Sequence, residues 1–417
     1  MLSLREAEER IRAALPAPRR ERVSLAATGG RVLAGEVRAP FPLPRFTCSA
    51  MDGFAVRARD TAGAAPGRPV RLRVRGESAA GHPAPVRLGA GECVRCMTGA
   101  PLPEGADAVV VVEDTSGFSD GETVDVFRRV APEEDVRVAG EEVPEGDVLL
   151  PAGSLVGPVE RGLLASLGFA RVSVFRRPAA VLLATGDEVR SAGEPLGPGE
   201  IHDANLAVLS DLLRQAGARV VRAALVRDDP EVVRARAEAA LASADLLVLS
   251  GGVSKGRHDH VPEALARAGV EVLVHGIAQK PGKPMLFGVR DRRPVFGLPG
   301  NALSALFCAV RHVVPAVARM AGGAPDTPYS ALLEAPFPRD RERHRYLPGW
   351  VRWTDGGAAA APSVRTGSHM LTAALRSNAF LGAPAGPGSL PAGSPVEVWP
   401  VPWACGPARG PRAGGAS

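Results

Sequence analysis

Residues 245–252 read DLLVLSGG and residues 178–186 read PAAVLLATG. Each is a short apolar run that stops at glycine, the pattern of a strand ended by a turn. Between and beyond them the period changes. ANLAVLSDLLRQAG (204–217) is an amphipathic helix closed by Gly217, ARVVRAALV (218–226) is a strand, and DPEVVRARAEAALASA (229–244) opens on acid and keeps a helical period. HVPEALARAG, VEVLVHG, PMLFGV, PVFGLPG and NALSALFCAVRHVVPAVARM continue the series to residue 320. Alternation of this kind over 177–325 predicts a doubly wound α/β domain with a largely parallel sheet.

Four turns then acquire meaning. TGDE (185–188), SGGVSKG (250–256), QKPGK (279–283) and GLPGN (297–301) each sit at or just beyond a strand. Open α/β sheets bind ligands at that end of their strands, so the four predict one pocket.

The basic residues sharpen it. Of 50, only Lys255, Lys280 and Lys283 are lysine, and all three fall in these turns. The bias reads as a background that turns lysine into arginine wherever either serves. The surviving lysines then mark places that need a compact ammonium rather than a broad planar guanidinium, as a small oxyanion pocket does.

The rest of the chain differs. Residues 46–139 carry short β-like runs such as RPVRLRVRG and ADAVVVVED between Gly, Pro and Asp, which predicts a smaller β-rich domain. Residues 1–45 and 140–176 read as a connecting domain. Residues 326–405 predict a small β-barrel, and 406–417 a disordered tail. At 417 residues, two to four domains are expected at roughly 100–200 residues each.

Composition excludes several classes. The net charge is +5, but with two tyrosines and 4% aromatics the chain offers no stacking platform, so small anions suit the excess better than nucleic acid. No uninterrupted apolar run reaches ~18 residues, which argues against a membrane span. MLSLREAEERIRAALP (1–16) has helical apolar spacing with charges between, as a helix of the folded protein and not a signal peptide. Five scattered cysteines give no disulfide framework, and the lone CVRC (93–96) lacks a second pair at zinc spacing. A cytoplasmic location is expected.

SGGVSKG lacks the order of a P-loop, because Lys255 precedes Gly256, so P-loop hydrolysis is not expected. Its glycines still let backbone N–H groups approach a phosphate. Asp187, Glu188, Asp228, Asp229 and Asp259 add carboxylates at the same edge, and with substrate phosphates such groups can hold Mg2+.

SAMDGFAV (49–56), MTGAPLPEGADAVV (97–110), AGEEVPEGDVLLPAG (139–153), TGDEV, GEIHDAN, RDDP, SGGVSKGRHD, KPGKP, GLPGN and GSHM (367–370) follow in one order. That order resembles the molybdopterin molybdenumtransferase family, MoeA, to which the C-terminal domain of gephyrin also belongs. The resemblance implies a four-domain homodimer that inserts molybdate into adenylylated molybdopterin with Mg2+ and releases AMP. It implies that Lys280, Lys283, Pro284 and Ser304 surround the oxyanion, and that Glu188, Asp228 and Asp259 serve the metal and nucleotide. Gly251, Gly252, Ser254, Lys255, Pro299, Gly300, Asn301 and Thr372 would bind substrate. Asp52 and Thr98 would reach in from the second subunit, with Arg137 and Glu142 nearby. Transient contacts with an adenylyltransferase and with apo-molybdoenzymes are expected.

Some positions depart from the pattern. Glu142 stands where Asp is common, Ala302 where Pro is typical, Pro348 where an anion-contacting Arg often stands, and Leu371 with Thr372 for a serine-rich pair. These leave the last domain's share of oxyanion binding open. Two other readings stand beside the insertase: a molybdopterin adenylyltransferase, which normally lacks the MDG and MTGAP region, and a non-catalytic scaffold that keeps the fold.

Overall fold

The computed structural model describes residues 1–254, 260–325 and 327–401. The chain divides into two compact units, one of Met1–Ala34, Leu155–Pro158 and Arg171–Ser417, the other of Gly35–Ser154 and Val159–Ala170.

The first unit holds the expected α/β sheet. Its six strands lie in the order Arg219–Val226, Ala179–Thr185, Leu246–Ser250, Arg293–Leu298, Leu286–Arg290, Glu271–His275. The first four run parallel. Alternate side chains point to opposite faces, so each strand feeds two cores. Leu182, Val248 and Phe296 meet the helix Asn205–Gln215 and the helical stretch from Ala302 to Met320. Leu183, Leu247, Leu249 and Val295 meet the helices Pro230–Ser243 and Val261–Arg267. A strand apolar on both faces needs cover on both faces, which is why these segments are continuous apolar runs.

Leu286–Arg290 alone runs against its neighbours. Asp291 and Arg292, both at positive φ (51° and 60°), close it onto Arg293–Leu298 as a two-residue hairpin, a link far too short for a parallel crossover. Phe287 and Phe296 pair across that hairpin with ring centroids 4.9 Å apart. Aromatic contacts of this kind add about 0.5 to about 1.5 kcal/mol to the burial itself.

By length and composition, Ala302–Met320 could cross a membrane (mean hydropathy 1.3), but 78% of it is buried inside the protein as a core helix. Residues Ala309–Val313 form a wide π turn within it. The N-terminal helix Leu4–Ala14 starts on a reciprocal cap between Ser3 and Glu6 and buries Ala7 and Ile11 in the same core.

Five strands near the C-terminus close on themselves: His344–Thr354, Gly357–Pro362, Tyr329–Leu333, Pro395–Pro400 and Ala379–Ala383, which returns to the first. This is the small β-barrel the sequence predicts. Gln279–Lys280 adds to it by pairing with His344 and Arg345.

The second unit is built on a five-stranded sheet, ordered Ala108–Val111, Gly53–Val56, Glu92–Cys96, Val70–Ser78, Thr123–Val126, around Phe54, Leu72, Cys93 and Val110. Cys93 and Cys96 are free and fully buried strand residues. Burial pushes their thiols up to about 12 and about 11, which makes them inert packing groups.

Candidate active site at the strand ends

From Ala179–Thr185 the chain first moves outward to Arg219–Val226, then crosses back to Leu246–Ser250. The crevice between the ends of the first and third of these strands is therefore the switch point of the sheet, where open α/β folds bind ligands.

Two glycines shape it. Gly251 continues the ladder, its N–H donating to Leu298 O at 3.0 Å, and adopts φ +98°. A Cβ there would meet Thr185 O at 2.4 Å. At Gly252 (φ +62°) an added Cβ would lie 3.2 Å from Thr185 Oγ1 and 3.4 Å from Asp228 Oδ1. Backbone thus stays bare where these two oxygens converge. Ser254 follows, and Lys255 and Asp259 lie outside the described residues, as does His258 of the RHDH stretch.

Neighbouring turns are tied to the crevice. Asn205 Nδ2 donates to Ser250 Oγ at 2.7 Å and to Gly300 O at 2.8 Å, while Ser250 Oγ donates to Pro299 O at 3.3 Å. Asn301 Nδ2 donates to Ser368 Oγ at 3.0 Å, joining GLPGN to GSHM. Asp203 holds Asn205 in place by accepting from the N–H of Asn205 and Leu206 at the start of the helix. Asn205 and Asp203 escaped the sequence reading, although both stand in the quoted GEIHDAN.

The carboxylates sit at the same strand ends. Asp187 Oδ1 accepts from the Asp228 N–H at 3.2 Å. Glu188 folds back over Gly186, where an added Cβ would lie 2.9 Å from its Oε2. Among the described residues no three His, Cys, Asp or Glu side chains form a ligand cage. Mg2+ needs only one or two carboxylates when phosphates complete its shell. Asp228, Glu188 and the Thr185 hydroxyl, which has no hydrogen-bond partner among the described residues, are hard oxygens that fit that requirement.

A second concavity lies beside the QKPGK turn, a pocket of about 290 Å3 lined by Lys280, Lys283, Pro284, Ser304, Arg343, Arg345, Thr366 and Ser368 among others. Four cationic side chains face it. Among the described residues one carboxylate, Asp340, answers them: Lys280 Nζ donates to its Oδ2 at 3.2 Å, and Arg343 donates to both oxygens at 3.1 and 2.9 Å. The Arg343 hydrogen bonds, then Lys280, hold the Asp340 carboxyl far below the usual carboxylate range, so it stays charged through the physiological pH range. Lys283 and Arg345 have no ion-pair partner among the described residues, and Arg345 Nε is buried without a hydrogen bond there. Thr372 does not line the pocket; Thr366 and Ser368 do.

Asp52, Thr98, Arg137 and Glu142 belong to the second unit. Asp52 Oδ1 accepts from both N and Oγ1 of Thr98 at 2.7 Å, and these two bonds lower its pKa. Arg137 pairs with Cys48 across a two-residue strand, and the Glu142 N–H donates to Leu43 O at 3.0 Å. A folded pKa lowered this way favours the bonded carboxylate above the unfolded pKa, and the preference is lost as pH falls through the folded value. Thr98→Val removes one of the two bonds and should move the Asp52 pKa upward, as an NMR titration of that carboxyl can read. No movement would show that the backbone N–H alone sets it.

Family models match three consecutive stretches: the MoeA N-terminal region (domain I and II) over residues 2–168, a probable molybdopterin binding domain over 181–319, and the MoeA C-terminal region (domain IV) over 330–401. The chain is 36% identical over 409 residues to molybdopterin molybdenumtransferase 2 of Mycobacterium tuberculosis, covering 96% of this chain and 99% of that one. The chain belongs to the molybdopterin molybdenumtransferase family. The Haemophilus influenzae molybdopterin molybdenumtransferase is 34% identical, with 96% and 98% covered. A solved MoeA structure from Pyrococcus horikosii superposes with a TM-score of 0.82 at 32% identity, covering 96% of this chain and 99% of that one.

For a molybdopterin molybdenumtransferase with proline at 348, the pocket shows where the C-terminal barrel contributes. Arg343 and Arg345, from and beside the strand His344–Thr354, supply two of its four cations, and Ser368 ties it to Asn301. Sequence reasoning missed all three. The two arginines stand in RERHR at 341–345, and Ser368 in the quoted GSHM.

Proposed function

We propose that the chain inserts molybdate into adenylylated molybdopterin and releases AMP. The observation that carries this is the pocket where Lys280, Lys283, Arg343 and Arg345 outnumber Asp340, in a member of this family. Molybdate is a compact tetrahedral dianion, and two ammonium groups with two guanidinium groups complement it better than they complement a neutral ligand. The switch-point crevice, with its bare Gly251 and Gly252 backbone, suits the phosphates of the nucleotide half.

In this reading Glu188 and Asp228, with Asp259, hold Mg2+, which neutralises phosphate charge when bound. Lys280 and Lys283 orient the oxyanion, and fixed donors stabilise charge that develops as the anhydride opens. The enzyme works in the cytoplasm as a homodimer, with Asp52 and Thr98 of the partner subunit completing the site. It meets an adenylyltransferase and apo-molybdoenzymes only transiently.

The deciding experiment measures AMP release from adenylylated molybdopterin with and without molybdate. Molybdate-dependent release is expected. Binding without release would leave a scaffold, and formation of adenylylated molybdopterin from ATP would mark an adenylyltransferase.

Arg345→Ala should weaken molybdate binding by about 1.5–3 kcal/mol, roughly ten- to hundredfold in Kd, because it removes a charged donor that has no ion-pair partner among the described residues. Calorimetric titration with molybdate checks this, and an unchanged Kd would remove Arg345 from the site.

A further inference from the structure

From the floor of the oxyanion pocket, where Gln279 and Gly282 stand among the lining residues, a buried polar chain runs back into the core. Gln279, fully buried, precedes Lys280 directly. Its Nε2 donates to Gly282 O at 3.2 Å and lies 3.5 Å from Cys308 Sγ. Its Oε1 faces His312 Nε2 at 2.9 Å, and His312 is only 3% exposed. The direction of these bonds is fixed by chemistry. Turning the amide over would set Oε1 against the Gly282 carbonyl with no proton between them, so Nε2 must face Gly282 and His312 must carry its proton on Nε2.

The chain therefore runs from the His312 N–H to the Gln279 oxygen, and from the Gln279 amide to the carbonyl of Gly282, which lies between Lys280 and Lys283 and directly precedes the latter. The turn is pressed onto this support: a Cβ on Gly282 would lie 2.2 Å from Cys308 Sγ. The far side of the turn is held as well, since the Ile277 N–H donates to Lys283 O at 2.9 Å. His312 sits in the π turn Ala309–Val313, a local widening often found where a helix serves a site. Its neighbour Arg311 turns elsewhere, pairing with Glu8 and covering the Trp399 ring at 3.8 Å.

An apolar pair would fill this space without the desolvation that a buried amide and imidazole carry. What the polar pair adds is direction, because hydrogen bonds fix the turn's carbonyl where packing alone lets it slide.

We infer that Gln279 and His312 form a brace that sets the spacing of Lys280 and Lys283, and so act as positioning residues for oxyanion capture. This rests on the oxyanion reading of the pocket.

The test uses the full chain with Gln279→Met, His312→Leu, the double variant, and His312→Gln, whose amide can still donate to Gln279. Melting temperature, molybdate Kd by calorimetry, and kcat and KM for AMP release are measured on each. Gln279→Met and His312→Leu should each raise molybdate Kd and KM about tenfold, with kcat at saturating molybdate and the KM for adenylylated molybdopterin within about twofold of wild type. Because the two act as one unit, the double variant should be no worse than either single one, and His312→Gln should recover most of the loss.

A lowered melting temperature with molybdate Kd unchanged would reduce the brace to ordinary core packing, and additive losses would overturn it too. If wild type binds molybdate but releases no AMP, while the variants still lose binding, the brace stands and the insertase reading falls. If wild type binds no molybdate, both fall.

Discussion

Lys283→Arg is expected to lower molybdate-dependent AMP release about a hundredfold and Lys280→Arg about tenfold, the scale of removing or misplacing one donor in a charge-stabilising site. Arg290→Lys should leave it unchanged, since its role is a hydrogen bond to Ala268 O at 2.9 Å that an ammonium can also make. The two lysines differ because the pocket treats them differently. Lys280 is 44% exposed and already paired with Asp340, so a guanidinium can follow the carboxylate and keep part of its role. Lys283 follows Gly282, which has no space for a Cβ, and its own carbonyl is held by Ile277 N–H. Its backbone cannot retreat, so a longer planar group must intrude into about 290 Å3 already faced by Arg343 and Arg345. Single-turnover assays at saturating molybdate separate lost binding from lost chemistry. Full activity in Lys283→Arg would sink the argument that lysine survives here for its size, while the family assignment would stand.

That prediction began as a count of lysines, which shows what this sequence makes legible. In a chain with 47 arginines a retained lysine is informative, and by the same logic a functional arginine is invisible. Arg343 and Arg345 line the pocket yet look like any other arginine in the sequence. The α/β sheet was readable because its central strands are apolar on both faces. The pairing of Gln279 and Lys280 with the barrel was not, because a two-residue strand has no period. Adjacent acids posed a similar limit: Asp187 and Glu188 are indistinguishable by spacing, and it is Asp187 that accepts from the Asp228 N–H. Thr366 and Ser368 reach the pocket through loop geometry, which spacing does not encode.

The two glycines of the switch point should respond very differently to alanine. Gly251→Ala puts an L side chain at φ +98° and drives its Cβ to 2.4 Å from Thr185 O. That oxygen is backbone of the strand Ala179–Thr185, which is held by strands on both sides, so it cannot move aside. Strain and overlap together should cost about 3–5 kcal/mol, a large part of the roughly 5–15 kcal/mol that keeps a domain folded. Gly252→Ala meets an easier case. Its φ of +62° lies in the left-handed region that other residues sometimes occupy. The closest obstacle there is Val261 Cγ2 at 2.8 Å, a side-chain atom able to shift. About 1–2 kcal/mol should cover it. Hydrogen exchange at the amides of Leu247, Val248 and Leu249 reads the local loss without assuming that the two units unfold together. Equal protection in both variants would mean that Thr185 yields, and that the bare backbone at 251 serves ligand access alone. A much larger loss in Gly251→Ala would place the constraint in the sheet itself, with the ligand crevice inheriting a glycine that the packing of two parallel strands already requires.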